Sequence, residues 1–313
     1  MAKKVIKEVK VIKEFQPHKV NYSKEKSVSF SQFNAFHDCN LRWSLAWIEK
    51  LQVYQPSIHT VFGTAMHETI QEWLEVLYEK TVKDAMEMDL NSLLLEKMKS
   101  IYRKDVGTNS TGHFSSSKEL AEFYEDGVQI LDFLKKKRAN YFIKHDTYLV
   151  DVELPIVYNI APNVYFKGYI DLIFYSKILD KYTIIDFKTS TSGWSDYQKK
   201  DFTKVSQLLL YKEFFSKTFN VDLNNIDVEY WILKRKINEN LEFVPKRVQI
   251  FKPASGKINM GKVNKMLKEF VESSFDEIGN YRIKEYPANP SKSNCRFCPF
   301  KDSPEYCSQA YKE

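Results

Sequence analysis

The stretch Gly168-Tyr169-Ile170-Asp171, followed fifteen residues after its aspartate by Asp186-Phe187-Lys188, predicts the centre of this protein's fold. Each aspartate interrupts an apolar run, YIDLIF at residues 169–174 and YTIIDF at residues 182–187. Short apolar runs of this kind are typical of buried β-strands. A buried carboxylate is costly unless a cation or hydrogen bonds compensate its charge. We therefore expect two neighbouring strands that hold their acids side by side.

Two adjacent carboxylates form a site for a hard divalent cation, since Mg²⁺ is held by a few protein oxygens and several waters. Lys188 lies two residues after Asp186 and therefore projects from the same face of the strand. A metal ion beside a lysine can activate a water molecule and stabilise negative charge on a phosphate. A structural alternative stays open, in which the two acids form salt bridges with Lys188 or Lys167.

Two further pairs of residues have helical spacing. Gly63 and His67 lie four residues apart in a periodic segment, and Gln207 and Tyr211 have the same spacing after the second acidic strand. Residues four apart occupy one face of a helix, so each pair can present both members to one site. The alternative is two ordinary amphipathic helices, with His67 as a packing residue.

The chain has four cysteines, which are Cys39, Cys295, Cys298 and Cys307. A C-x-x-C pair with a third cysteine nearby is typical of a metal or cluster site, and Cys39 is the only other thiol. Four thiolates suit a 4Fe–4S cluster or a tetrahedral zinc ion, and the residues alone leave both open. Either centre would join the two ends of the chain. Four unrelated buried cysteines are the remaining alternative.

The composition is that of a globular protein with a substantial core, because 43% of the 313 residues are hydrophobic. The net charge of +6 and the 15% of aromatic residues suit a nucleic acid, whose phosphates need cations and whose bases stack. With no apolar signal segment or membrane-spanning run, we expect no membrane partner and a location in the cytoplasm of a bacterium, an archaeon or a virus-infected cell. No G-x-x-x-x-G-K-[ST] motif is present, which excludes a nucleotide-driven motor of that kind in this chain.

The order of the patterns predicts a basic arm at residues 1–26 and a single domain at residues 27–313. Within this domain we expect a helical lobe, a catalytic core and a cysteine-rich clasp. Glu153 lies in an alternating strand pattern and either approaches the metal site or faces solvent or a lysine. The lobe, core and clasp are expected at residues 27–145, 146–280 and 281–313, with helices at residues 31–50, 62–104, 118–144 and 258–280 and late strands at residues 226–235 and 241–251.

The order G-x-x-x-H, G-x-x-D on a strand, D-x-K and Q-x-x-x-Y resembles the PD-(D/E)XK nuclease superfamily. Over roughly residues 27–310, the chain is most similar to the RecB-like branch with an iron–sulfur cluster, which includes the AddB nuclease domain and CRISPR-associated adaptation nucleases. The segment from Ser29 to Cys39 also resembles that branch. Two features depart from it. Asn40 follows the first cysteine, where the branch often has proline, and the eight residues between Cys298 and Cys307 form a wider gap than usual.

The resemblance implies an α/β restriction-endonuclease-like fold, in which helices flank a mixed central sheet. It adds a helical N-terminal lobe and a C-terminal cysteine clasp. It also implies that Mg²⁺ or Mn²⁺ is held by Asp171, Asp186, the imidazole of His67 and the carbonyl of Phe187.

The same resemblance implies roles for three further residues. Lys188 would hold the attacking water, Gln207 would orient Lys188 or that water, and Tyr211 would contact the DNA strand. For the four cysteines, it favours a 4Fe–4S cluster over zinc.

The implied activity is that of a metal-dependent exonuclease acting on single-stranded or free-ended DNA in recombination, repair or viral DNA processing. Its expected partners are a helicase, a recombinase or a single-strand-binding protein. The alternatives are a structure-specific or CRISPR-adaptation-type endonuclease, a non-catalytic DNA-binding protein with a structural cluster, and a metalloprotein whose acids are structural.

Overall fold

A six-stranded mixed β-sheet lies at the centre of the protein. The structure is a computed structural model that describes residues 12, 14–51, 55–108, 112–142, 146–238, 240, 242 and 244–311. Within the predicted basic arm, residues 1–11 and 13 lie outside the described residues. The strands are β1 (Lys26–Val28), β2 (Thr147–Ala161), β3 (Val164–Ser176), β4 (Lys181–Ser190), β5 (Ile226–Lys234) and β6 (Val248–Phe251).

Strand β3 organises the sheet. Strand β2 pairs antiparallel with β3 along one edge, from Thr147 opposite Ser176 to Ala161 opposite Val164. On the other edge, β1 pairs in parallel with residues 164–166 and β4 pairs antiparallel with residues 172–176. No strand of the described chain pairs with this edge at residues 167–171. The sheet continues through β5, parallel to β4, to β6, which is antiparallel to β5.

Helices cover both faces of the sheet. Several begin at a side-chain cap: Ser29 accepts a hydrogen bond from the backbone N–H of Gln32, and Asp201 accepts one from that of Thr203. Such caps satisfy backbone donors that the first helical turn leaves free. The described helices are α1 (Phe30–Asp38), α2 (Asn40–Trp47), α3 (Ile58–Glu79), α4 (Val82–Glu87), α5 (Leu90–Thr108), α6 (Ser117–Lys136), α7 (Arg138–Tyr141), α8 (Asp196–Lys200), α9 (Phe202–Phe219), α10 (Lys257–Ser274) and α11 (Lys292–Cys295), with a 3₁₀ turn at Leu223–Asn225.

Two hydrophobic cores lie on opposite faces of the sheet. The first core joins the sheet to α1, α2, α9 and α10 and includes Phe33, Phe214 and Phe270. The second core joins it to α3–α6 and includes Phe62 and Phe187. The predicted α/β fold with a mixed sheet flanked by helices is therefore confirmed. The helices expected to form one lobe at residues 27–145 are instead divided between the two faces.

The expected single helix over residues 31–50 is two helices, because the chain is extended at Cys39 (φ −161°, ψ 112°). The side chain of Asn40 donates a hydrogen bond to the carbonyl of Phe36 at 2.8 Å, so it satisfies one carbonyl at the end of α1. This break places the Cys39 thiol between two helices.

Other elements differ from expectation mainly in length. The helix expected at residues 118–144 ends at Lys136 and is followed by α7, with residues 143–145 outside the description. The helix expected at residues 258–280 ends at Ser274. Strand β6 begins at Val248, whereas the sequence pattern predicted a start at residue 241. Residues 241 and 243 lie outside the described residues. No helix among the described residues is long and apolar enough to cross a membrane.

The alternation of side chains in β2 changes at Glu153, whose backbone is left-handed (φ 54°). Before this point Val152 packs against the second core, and after it Leu154 lies in the first core. In β3 the same change occurs between Ile170, which lies in the first core, and Leu172, which lies in the second core. Asp171 therefore lies where two neighbouring strands switch faces together.

Candidate active site

The two acids of the G-x-x-D and D-x-K motifs lie where β3 and β4 stop pairing. The last pair of the ladder at this end is Leu172 with Ile185, so the next positions along the two strands are Asp171 and Asp186. Beyond the ladder, the carboxylate Oδ2 of Asp171 accepts a hydrogen bond from the backbone N–H of Phe187 at 2.8 Å. The two strands therefore separate at the acids, and a side chain links them there.

Asp186 is 2% exposed, and its Oδ2 lies 2.7 Å from the Nζ of Lys188. The ammonium of Lys188 is therefore the partner of this carboxylate oxygen. Burial raises the pKa of Asp186 to about 6, although the positive charge of Lys188 opposes the shift. A buried carboxylate that one ammonium neutralises retains lone pairs that can bind a metal ion.

Asp171 and His67 form a second charged pair, with Nδ1 of His67 3.4 Å from Oδ2 of Asp171. Burial favours the neutral form of each side chain, but their mutual attraction outweighs it. The pKa of Asp171 is therefore lowered and that of His67 is raised. A metal ion that binds His67 must displace the proton shared across this pair, because imidazole ligates metals in its neutral form.

Helix α3 brings His67 to the acids. Gly63, His67 and Gln71 are spaced by four residues along one face, and all three line a cavity of about 350 Å³ with Asp171. The side-chain amide of Gln71 lies 3.5 Å from the carbonyl oxygen of Asp171. A Cβ at Gly63 would lie 3.6 Å from its nearest neighbour, which is ordinary contact, so space alone does not require glycine there.

Lys188, Gln207 and Tyr211 form a chain of hydrogen bonds across the first core. The Nζ of Lys188 donates to Oε1 of Gln207 at 3.0 Å, and Nε2 of Gln207 donates to the hydroxyl of Tyr211 at 3.3 Å. Gln207 therefore contacts Lys188, and the role that the resemblance implies for it in orienting Lys188 or the water stays a prediction. Tyr211, which is expected to contact the DNA strand, is only 4% exposed and lines the cavity on the α9 side of Lys188.

Glu153 lines the same cavity as His67, Asp171 and Lys188. Its side chain is exposed, and its left-handed backbone is uncommon for a residue with a Cβ. The sequence left the direction of Glu153 open, and the structure brings it to the acidic pair. The change of strand alternation explains this placement.

Gln71 and Thr189 also line this cavity, although the sequence analysis did not predict them as site residues. The only available signal for Gln71 was its position four residues after His67 on the same helical face. Thr189 follows Lys188 directly, and nothing in its immediate sequence marks it as a site residue.

The donor set suits a divalent ion, although no group of three or more His, Cys, Asp or Glu side chains among the described residues is arranged to hold one as it stands. The carboxylates of Asp186 and Asp171 are hard oxygen ligands of the kind that Mg²⁺ and Mn²⁺ prefer. His67 adds one imidazole nitrogen. The residues therefore fit a divalent metal in chemical type.

All four cysteines line one small cavity of about 20 Å³. The backbone N–H of Asn289 donates to Sγ of Cys39 at 3.4 Å. Burial raises the pKa of the Cys298 thiol, and the neighbouring Cys39 and Cys295 raise it further. The structure thus brings thiols from both ends of the chain to one cavity, although no three or more of them are arranged to hold a metal as they stand among the described residues.

Asparagine side chains hold the C-terminal segment against the junction of α1 and α2. The amides of Asn289 and Asn294 donate to the carbonyl of Asp38 at 2.9 Å and 2.8 Å. The carbonyl of Pro287 also accepts a hydrogen bond from the backbone N–H of Leu41. These contacts fix the cysteine segment without a metal.

A sequence model of the PD-(D/E)XK nuclease superfamily matches residues 27–303. A crystal structure described as a "Putative exonuclease" from Eubacterium rectale has a TM-score of 0.48 and 11% identity, covering 82% of this chain and 84% of that one. No match was found among curated proteins. Since the superfamily match spans most of the chain, including both acids and Lys188, this protein belongs to the PD-(D/E)XK nuclease superfamily.

Proposed function

We propose that this protein is a metal-dependent exonuclease that hydrolyses phosphodiester bonds of single-stranded or free-ended DNA. The observation that carries the proposal is the separation of β3 and β4 at Asp171 and Asp186, with Lys188 paired to the buried carboxylate of Asp186. Nucleases of this superfamily generally use divalent metals such as Mg²⁺ or Mn²⁺.

Asp171, Asp186, His67 and the carbonyl of Phe187 would hold the metal. A bound ion would supply Lewis acidity and lower the pKa of a coordinated water. Asp186 must first lose its proton, because metal ligands bind deprotonated.

Lys188 would act on the water and on the phosphate. Its side-chain nitrogen is held between Asp186 and Gln207 and lines the cavity. From there it would hold the attacking water and neutralise charge that develops on the phosphate oxygens. Gln207 would act through Lys188, as a positioning residue.

The preference for a single strand is supported by the size of the cavities beside Lys188. About 350 Å³ lies on the α3 side and about 750 Å³ on the α9 side. Spaces of this size accommodate small molecules. They suit an unpaired strand better than a duplex. Such a nuclease would work in recombination, repair or viral DNA processing, alongside a helicase, a recombinase or a single-strand-binding protein.

For the cysteine cavity we propose a 4Fe–4S cluster bound by Cys39, Cys295, Cys298 and Cys307. Four thiolates complete the ligand set of such a cluster. Backbone N–H groups that point at Sγ of Cys39 and Cys295 support this assignment, because hydrogen bonds to sulfur stabilise and tune thiolate ligands. A zinc ion is the alternative for the same four ligands.

The decisive experiment compares linear and closed circular single-stranded DNA of the same sequence, each incubated with Mg²⁺ or Mn²⁺. We expect the linear form to disappear while the circle resists digestion, because an exonuclease needs an end. Rapid cutting of both forms would support an endonuclease of the structure-specific or CRISPR-adaptation type. Cleavage of neither form would support a non-catalytic DNA-binding protein.

A further inference from the structure

A second cavity, of about 750 Å³, lies on the α9 side of Lys188. Lys188 lines both this cavity and the smaller one that contains Asp171 and Glu153. The second cavity is bordered by β3 residues 167–169, within the edge that neither β1 nor β4 covers. We call this cavity the edge cleft and define it by Lys167, Tyr169, Trp194 and Lys204.

The edge cleft is cationic. Lys167, Lys188 and Lys204 line it, and none of its described lining residues is acidic. The smaller cavity, in contrast, contains Glu153 and Asp171 beside the same Lys188. A polyanion is therefore attracted to the edge cleft without a metal, whereas the acidic cavity needs one.

Four aromatic side chains line the edge cleft, which are Phe30, Tyr169, Trp194 and Tyr211, and two of them lie beside lysines. Tyr169 is 46% exposed, which is uncommon for a large ring on a central strand, and the Nζ of Lys167 lies 5.9 Å from its centroid. Trp194 is half-buried, and the Nζ of Lys204 lies 5.9 Å from its ring. Alternating rings and ammonium groups are the combination that binds single-stranded nucleic acid.

Trp194 is held in place before any ligand binds. The side-chain amide of Gln249 accepts from the backbone N–H of Trp194 at 2.7 Å and donates to its carbonyl at 3.1 Å. The preceding Gly193 has φ 105°, and a Cβ there would lie 2.8 Å from Oε1 of Gln249. This pairing fixes the wall of the cleft, so little ordering is needed on binding.

We propose that the edge cleft binds the unpaired DNA strand next to the scissile phosphate, with a base stacked on Tyr169 and a phosphate neutralised by Lys204. The proposal rests on the proposed function, because it places the strand beside the same Lys188. A base exposes its face for stacking only when its strand is unpaired, which is why the occupant is a single strand and not a duplex.

Binding of a labelled oligothymidine, measured by fluorescence anisotropy in chelator, tests the cleft without cleavage. We expect Tyr169→Ala to weaken binding about tenfold, the loss of one stacking partner. Tyr169→Phe keeps the ring and should bind like wild type. The matched control is Tyr197→Ala, at a tyrosine that is 79% exposed on α8 and outside the cleft, and it should also bind like wild type.

The salt dependence separates stacking from phosphate contact. Lys204→Ala should reduce the slope of log affinity against log salt by about 0.7, the value of one phosphate contact on a single strand. Tyr169→Ala should leave that slope unchanged, as should the control Lys265→Ala, at a surface lysine of α10. A role in folding alone would not produce this division.

Wild-type affinity in Tyr169→Ala would overturn the proposal, as would an equal loss in Tyr197→Ala. A blunt duplex that binds as tightly as the single strand and is weakened equally by Tyr169→Ala would also overturn it. These measurements need no metal, so they stand apart from the metal-centre assignment. Undiminished cleavage by Asp186→Asn would refute the proposed metal centre while leaving the binding result intact.

Discussion

The ring of Tyr211 packs directly against the backbone of Gly168, so that a Cβ at position 168 would lie 2.8 Å from the ring. The backbone N–H of Tyr169 also bonds to the Tyr211 hydroxyl, and burial raises the pKa of that hydroxyl. Strand β3 and helix α9 are thereby held together three residues before Asp171. The glycine of G-x-x-D and the tyrosine of Q-x-x-x-Y thus form one contact.

Gly168→Ala should separate β3 from α9 and lower the free energy of unfolding by about 1–3 kcal/mol, the usual cost of overpacking a core. Cleavage should fall as well, because the Tyr211 hydroxyl also accepts a hydrogen bond from the amide of Gln207, and Gln207 in turn accepts one from Lys188. Urea unfolding and a DNA digest measure the two effects.

The control for this substitution is Gly261→Ala, in α10, where a Cβ meets no atom within 4 Å. This change should raise stability by about 0.5–1 kcal/mol, because alanine favours a helix interior. If Gly168→Ala raised the free energy of unfolding as Gly261→Ala is expected to do, the contact between Gly168 and Tyr211 would not contribute to stability.

Asp186→Asn and Lys188→Ala should each reduce cleavage by orders of magnitude, because groups that act together on a transition state are not replaceable singly. DNA binding should persist, since the edge cleft supplies affinity without metal. Asp196→Asn, at an exposed surface carboxylate on α8, is the matched control and should cleave normally. Wild-type cleavage by Asp186→Asn would refute the assignment of the metal centre.

The pKa of Asp186, raised to about 6, predicts a pH dependence of stability in the metal-free protein. Asp186 binds its proton more tightly in the folded protein than in the unfolded chain. Its protonation therefore adds its full contribution to the free energy of unfolding below about pH 4, and this contribution is lost as the pH rises through about 6. Thermal unfolding in chelator, compared with Asp186→Asn, isolates the effect as the difference between the two curves.

Mn²⁺ should stabilise the wild-type protein more at pH 7 than at pH 5, because the ion must replace the proton on Asp186. In Asp186→Asn this gain in thermal stability should be small at both pH values. A gain that did not depend on pH would mean that the ion binds elsewhere.

Anaerobically purified protein should contain about four irons and four sulfides per chain, as four-cysteine ligation requires. Cys39→Ala should lose the cluster and stability together, because Cys39 alone provides a thiolate from the N-terminal half. Stoichiometric zinc without iron would replace the cluster by a zinc site. Full metal content in Cys39→Ala would remove this cysteine from the ligand set.

Asp126→Ala should destabilise the contact between α6 and the end of β5 by about 3–5 kcal/mol, because it leaves a buried guanidinium unpaired. The carboxylate of Asp126 lies 3.0 Å from Arg235, and both side chains are almost fully buried. Glu122→Ala is the control, since Glu122 is exposed and its one ion pair within the described part of the chain is with the exposed Lys236. Equal unfolding curves for the two variants would contradict the importance of this pair.

The local features of the site can be predicted from the amino-acid sequence alone. Apolar runs around Asp171 and Asp186 specified two strands, because a short apolar run is most stable when both of its faces are buried. The spacing of His67 from Gly63, and of Tyr211 from Gln207, specified helical faces, because the helical period depends only on the backbone. The α/β class was implied by the family resemblance that the order of these motifs carries.

The way in which these features come together in space depends on the fold of the whole chain. Cys39 interrupts a helix that the local pattern would have continued, and Glu153 reverses the alternation of a strand. Both depend on partners distant in sequence: the C-terminal segment at residues 287–294 contacts the α1–α2 junction, and β3 switches faces beside Glu153. The separation of β3 from β4 at Asp171 likewise requires pairing with other strands, since register is set by neighbours and not by the strand itself.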